Sequence, residues 1–138
     1  MKQHGTPQIA QELLQHACLL YRRERDGRLM RWPFQRDGQR ADPQQRIAQI
    51  GSDIDALVEY AVAGGGITWA GDFIVHEYVR DGRLVPLSLK PGRKGQLQFA
   101  DAPLDFFACF RDRQYVPAKV RALVDYLVKA LPQRQTDL

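Results

Sequence analysis

The stretch from Gly51 to Ala70, GSDIDALVEYAVAGGGITWA, restricts the fold more than any other part of this sequence. Ile54, Leu57, Val58, Ala61 and Val62 recur at the spacing of one helix face. Ser52 with Asp55 three residues on supplies a weak capping box at the helix start. Gly64, Gly65 and Gly66 then end the helix, and the apolar run ITWA (67–70) follows as a strand. Glycine beyond a helix C-cap enters the left-handed region at little steric cost, so the triplet reads as a helix terminator. Phosphate-cradling loops run in the opposite order, strand then glycines then helix. The sequence therefore predicts a scaffold turn here and not a nucleotide loop.

The flanking segments extend the same alternation. RIAQI (46–50) reads as a strand before the helix. After ITWA, Asp72 reads as the N-cap of a helix carrying Phe73, Ile74, Val75, Tyr78 and Val79, which stops at Asp81-Gly82. LVPLSL (84–89) reads as a third strand. Strand, helix, strand, helix, strand over 46–89 is the repeat of a parallel α/β sheet. Ligands of such sheets sit beyond the carboxyl ends of the strands, here the segments after Ile50 and after Trp69.

Upstream, Thr6-Pro7 predicts a helix start, with Ile9, Leu13 and Leu14 inside a short helix that stops near His16. ACLLYR (17–22) and LMRWPF (29–34) read as two strands of a hairpin joined across Asp26-Gly27, with Pro33 confining the second to an edge. Asp37-Gly38 and Asp42-Pro43 mark turns in a polar stretch. Downstream come the loop KPGRKG (90–95), the run LQFA, and DFFACFR (105–111), apolar on both faces like a buried strand. Pro117 opens a last helix whose Val120, Leu123, Val124, Leu127, Val128 and Leu131 form the strongest periodicity in the chain.

Composition narrows the function classes. The 138 residues suffice for one domain with a core, and no apolar run approaches membrane-spanning length. The start MKQHGTPQ lacks the apolar region of a secretory signal, so a cytoplasmic location is expected. Cys18 and Cys109 sit in apolar runs and read as buried thiols. Between Arg22 and Arg46 lie eight arginines against four acidic residues, a surplus of four equal to the whole net charge of +4. With Tyr21, Trp32 and Phe34 interleaved, that segment is one candidate for nucleic-acid contact, although its acids and turn signals suit a solvated hairpin face as well.

Catalytic machinery is thin. Ser52 reads as a helix cap, Ser88 lacks a G-x-S-x-G context, and His4, His16 and His76 have no partners at metal-ligand spacing. Asp53 and Asp55 suit the helix dipole better than acid–base work. No enzyme activity, catalytic residue, metal or cofactor is expected. Ser52, Asp53, Thr68 and Trp69 at predicted strand ends, with Trp32 and Phe34 from the hairpin region, have the mix of polar groups and aromatic walls of a small-ligand pocket. The alternative for the three aromatics is plain core.

Several stretches in order resemble one family. HGTPQIAQELLQHACLLYR (4–22), RWPF (31–34), GSDIDALVEYAVAGGGITWAGDFIVHEYVRDGRLVPL (51–87) and PLDFFACFRDRQYVPAKVRALVDYLVKAL (103–131) are similar to the effector-binding domain of LysR-type transcriptional regulators. The resemblance implies an α/β, periplasmic-binding-protein-like (type 2) fold. Residues 4–100 would be its Rossmann-like second subdomain, and 101–138 would carry the C-terminal strand and helix returning to the first. It implies a cleft for a small, often anionic effector, near Trp32 and Phe34, Ser52-Asp53 and Thr68-Trp69. Such regulators bind DNA through an N-terminal winged helix-turn-helix, which has no counterpart in this sequence, and they involve no membrane. The missing half of the first subdomain would leave the last helix uncovered. Self-association or a swap through Val120, Leu123, Leu127 and Leu131 is therefore expected. The alternatives are a freestanding ligand-binding or dimerisation module without DNA binding, and a basic nucleic-acid-binding module.

Overall fold

Residues Cys18–Tyr21 (β1) organise the larger part of the molecule because their side chains alternate between two apolar clusters. Cys18 and Leu20 pack with Ala10, Leu13, Trp32, Phe34 and Leu97. Leu19 points the other way, against Leu57 and Ala61, with Tyr21, Ile54 and Leu84 at its margin. Leu19 and Leu20 are both fully buried, which stabilises the fold by roughly 2 kcal/mol each. The same burial pushes the Cys18 thiol up from 9.0 to about 11.

The computed structural model describes residues 5–100 and 116–130. The chain divides into two units, Met1–Pro103 and Leu104–Leu138. In the first, β1 is flanked on both sides by parallel neighbours, β4 (Ile47–Gly51) and β5 (Ile67–Thr68), in the order β4-β1-β5. Helix α2 (Ile54–Val62) links the two outer strands and buries Leu57, Val58 and Ala61. A second, antiparallel sheet of order β3-β2-β6 joins Phe34–Arg36 (β2), Gln39–Arg40 (β3) and Gln98–Phe99 (β6). The expected parallel α/β core is thus present, with β1 as its central strand.

The termini of the helices follow from local chemistry. Past α2, the Gly65 N–H donates to the Tyr60 carbonyl and the Gly64 N–H to that of Ala61, the paired bonds of a Schellman cap. Gly64 takes φ 85, as expected of a helix terminator. Helix α3 (Asp72–Arg80) ends the same way, with Gly82 at φ 72 donating to Val79 and Arg83 donating to Tyr78. Tyr78 ties α3 to α2 by donating its hydroxyl to Glu59 at 2.7 Å, and Arg83 stacks 4.3 Å from its ring centre.

Four local expectations are corrected. Residues 84–89 form no strand: Pro86 lacks a donor, and the parallel sheet ends at β5. Because both edges of β1 are taken by parallel neighbours, the hairpin between 17–22 and 29–34 shrinks to a single Arg22–Leu29 bridge across Gly27. The first helix, α1 (Ala10–Leu13), begins after Ile9 and not at Thr6-Pro7, because Pro7 is drawn into the core. In α3, Asp72 lies in the first turn, and Gly71 occupies the N-cap with no side-chain bond.

The second unit contributes α4 (Ala118–Ala130), started by Pro117, whose carbonyl accepts from the Val120 and Arg121 N–H groups. The strand expected at 105–111, with Cys109, lies outside the described residues, as does Leu131.

Gly66 fixes how closely β5 approaches β1. The Ile67 N–H donates to the Ala17 carbonyl at 2.8 Å, and a Cβ on Gly66 would stand 2.5 Å from that same oxygen. At Gly64 a Cβ would meet nothing within 4 Å, leaving only the left-handed backbone to disfavour it. Urea denaturation should therefore separate the two: Gly66→Ala loses about 3 kcal/mol through collision and strain, Gly64→Ala about 1. Equal losses would mean that the strand approach is not the constraint.

Candidate functional site

Three parallel strands present their carboxyl ends on one edge of the sheet, and the residues that leave those ends define the candidate site. Tyr21 pairs with Gly51, so β1 and β4 finish level, and Leu19 pairs with Thr68, so β5 finishes two residues short of β1. Ser52 follows β4 on one outer side, and Thr68-Trp69 closes β5 on the other. At the usual strand spacing the two outer ends are about 10 Å apart. Between them the central strand exits into Arg22, whose N–H donates to the Gly51 carbonyl at 2.8 Å. Tyr21 and Arg22 were not picked out from the sequence as site residues. Placing ACLLYR at the centre of the parallel sheet, and not in a hairpin, is the signal that would have found them.

The other expected residues separate by environment. Trp32 and Phe34 are 3% and 2% exposed, inside the cluster behind the sheet and not on an open wall. They form an aromatic group with Phe99: Trp32 to Phe34 at 6.2 Å stacked, Trp32 to Phe99 at 6.1 Å and Phe34 to Phe99 at 5.4 Å edge-on. Trp69, half-buried, meets Phe99 edge-on at 6.4 Å. The buried aromatics therefore hold the indole of Trp69 at the strand end. Ser52 is exposed, and Thr68 is half-buried.

Asp53 is committed to the backbone. Its Oδ1 accepts from the Asp55 and Ala56 N–H groups at 2.9 and 3.2 Å, which makes Asp53, and not Ser52, the N-cap of α2. This carboxylate already satisfies the positive end of the helix, so the Ser52 hydroxyl is free of capping duty. Arg22 makes no ion pair among the described residues, whereas Arg23 pairs with Asp26 and Arg31 with Asp42. No group of three or more potential metal ligands occurs among the described residues. No described helix is long and apolar enough to cross a membrane.

A parallel sheet packed with helices, together with a small antiparallel sheet, fits a domain of the periplasmic-binding-protein-like type. The model of the LysR substrate binding domain matches residues 2–132, and the chain belongs to that family. Among its relatives, the LysR family substrate binding domain-containing protein YagP of Escherichia coli (strain K12) is 30% identical over 114 residues, covering 81% of this chain and 76% of YagP. The HTH-type transcriptional regulator CrgA of Neisseria meningitidis serogroup C (strain 8013) is 29% identical over 136 residues, 95% of this chain and 40% of CrgA. The solved CrgA regulatory domain superposes with a TM-score of 0.60 at 25% identity, over 95% of this chain and 60% of that one. The chain thus spans less than half of CrgA. The relatives named here are a substrate-binding-domain protein and a transcriptional regulator.

The capping assignment has a direct check. In urea denaturation Asp53→Ala should cost about 1 kcal/mol, while Ser52→Ala should stay within about 0.5. The reverse ranking would restore Ser52 as the cap.

Proposed function

We propose that this domain senses a small organic effector at the carboxyl ends of β4, β1 and β5, and that it does so as part of a transcriptional regulator. The observation that carries this reading is that three parallel strands open their carboxyl ends to one side, with Ser52 following β4, Arg22 following β1 and Trp69 following β5. A guanidinium without an ion-pair partner among the described residues, two hydroxyls and the edge of an indole suit a carboxylate or a similar anion. Trp32 and Phe34 back this surface, and Asp53 fixes the helix that carries one of its corners. Residues 4–100 serve as the second effector-binding subdomain and 101–138 as the strand and helix that return to the first. DNA is contacted through a helix-turn-helix and not through this domain, in a cytoplasmic, dimeric protein. The similarity to CrgA, named an HTH-type transcriptional regulator, supports this assignment.

A second reading is favoured by YagP, which is named for its substrate-binding domain alone and is matched over 76% of its length. In it the domain acts without DNA, as a freestanding ligand-binding or dimerisation module.

Titrating the chain with a panel of small organic acids and following tryptophan fluorescence should report binding, because Trp69 stands at the proposed surface. Thr68→Val should weaken the best binder about tenfold, the loss of one hydrogen bond to a charged group. An unchanged affinity, or no binder in the panel, would overturn the strand-end site. Self-association through Val120, Leu123, Leu127 and Leu131 predicts a dimer in sedimentation at tens-of-micromolar concentrations, shifted to monomer by Leu123→Asp; a wild-type monomer refutes it.

A further inference from the structure

A pocket open to solvent is lined by residues outside the ends of the parallel strands. It occupies about 220 Å³ and is lined by Ile9, Gln11, Arg36, Gly95, Gln96 and Leu97. Its floor is apolar, with Leu97 only 3% exposed and Ile9 half-buried. Its rim is polar and carries Arg36 at the end of β2.

The local backbone builds this cavity deliberately. Asp37 and Gly38 both take positive φ, 50 and 77, giving the tight two-residue turn between β2 and β3. That turn aims the Asp37 carboxylate across to the 90–95 loop, where Oδ1 accepts from the Gly95 N–H at 2.7 Å. Gln96 completes the loop by accepting from the Arg93 N–H through its Oε1 at 2.9 Å, leaving its amide nitrogen to donate elsewhere. A non-glycine residue held at positive φ is uncommon, and here it is what pins the far wall of the cavity.

Around the cavity the cations Arg36, Arg93 and Lys94 outnumber the acids Glu12 and Asp37. Arg36 makes no ion pair among the described residues, and neither do Arg93 and Lys94 of the adjoining loop. The two acids keep their charge but are held to the backbone, Asp37 by the Gly95 N–H and Glu12 by the Gln8 N–H, each at 2.7 Å. A guanidinium with no ion pair among the described residues and two amide side chains above an apolar floor match a carboxylate attached to an apolar body.

We propose that this cavity is a second binding site, separate from the strand ends, for a small organic carboxylate, with the Arg36 guanidinium holding the charge and Ile9 and Leu97 receiving the apolar body. Cyclohexanecarboxylate is a suitable probe, with cyclohexanemethanol as its neutral counterpart and inorganic phosphate as an anion without an apolar body. In 1H–15N correlation spectra of the full chain, the carboxylate should shift the amides of Gln11, Arg36, Gly95, Gln96 and Leu97 saturably. Arg36→Gln should raise the Kd about tenfold, and Arg36→Lys should raise it less. The exposed Gln11→Leu, which leaves the charge and the core untouched, should raise it about threefold. The alcohol and phosphate should each bind more weakly than the carboxylate. Shifts centred on Ser52, Thr68 and Trp69 would overturn this site while leaving the strand-end reading standing. Equal binding of the alcohol or of phosphate, or a Kd indifferent to both Arg36→Gln and Gln11→Leu, would also overturn it.

Discussion

Everything in the larger unit depends on β1 being shared. Its backbone is hydrogen-bonded to parallel strands on both edges, and its side chains feed apolar clusters on both faces. Such a strand has no solvent-facing side, which is why CLLY is a continuous apolar run and not an alternating one. Once β1 is fixed, little freedom remains. β4 must end beside Tyr21, β5 must enter beside Ala17, and the helix between them must span one face of the sheet.

Two kinds of local device convert that framework into a binding surface. Backbone devices set where the strands begin: the Schellman cap after α2 reverses the chain, and the missing Cβ of Gly66 lets β5 close on β1. Side-chain devices set what the strand ends offer. Asp53 satisfies the N-terminus of α2, and the Trp32, Phe34 and Phe99 cluster stands behind Trp69. The smaller antiparallel sheet carries that cluster and also forms the cavity beside Arg36, so one element supports two surfaces of different chemistry.

Much of this was legible from residues alone. The stripe from Ile54 to Val62 and the glycines after it specified α2, its end and the strand beyond, because periodicity and left-handed glycine are local properties. The capping residue was missed by one position, since Ser52 and Asp53 are both good caps and only backbone geometry separates them. Residues 84–89 have a strand-like composition, but Pro86 takes a donor out of any ladder there, and the parallel sheet ends at β5. Trp32 and Phe34 could be assigned to pocket or core from the sequence with equal ease. Their burial rests on Phe99, more than sixty residues away.

By itself, then, the sequence determined the class of fold, the positions of α2, α3 and α4, the turns at Gly27, Asp37-Gly38 and Gly64, and the family to which the chain belongs. These rest on helical periodicity, turn chemistry and ordered motifs, all of which act over a few neighbouring residues. Only the tertiary structure decided that β1 is central, that Arg22 lies between the Ser52 and Thr68 strand ends, and that Trp32 and Phe34 are buried. It also brought the Asp37 turn against Gly95 to shape a cavity. Each of those facts is a pairing between distant segments, fixed by which edges and faces were still open when the chain packed.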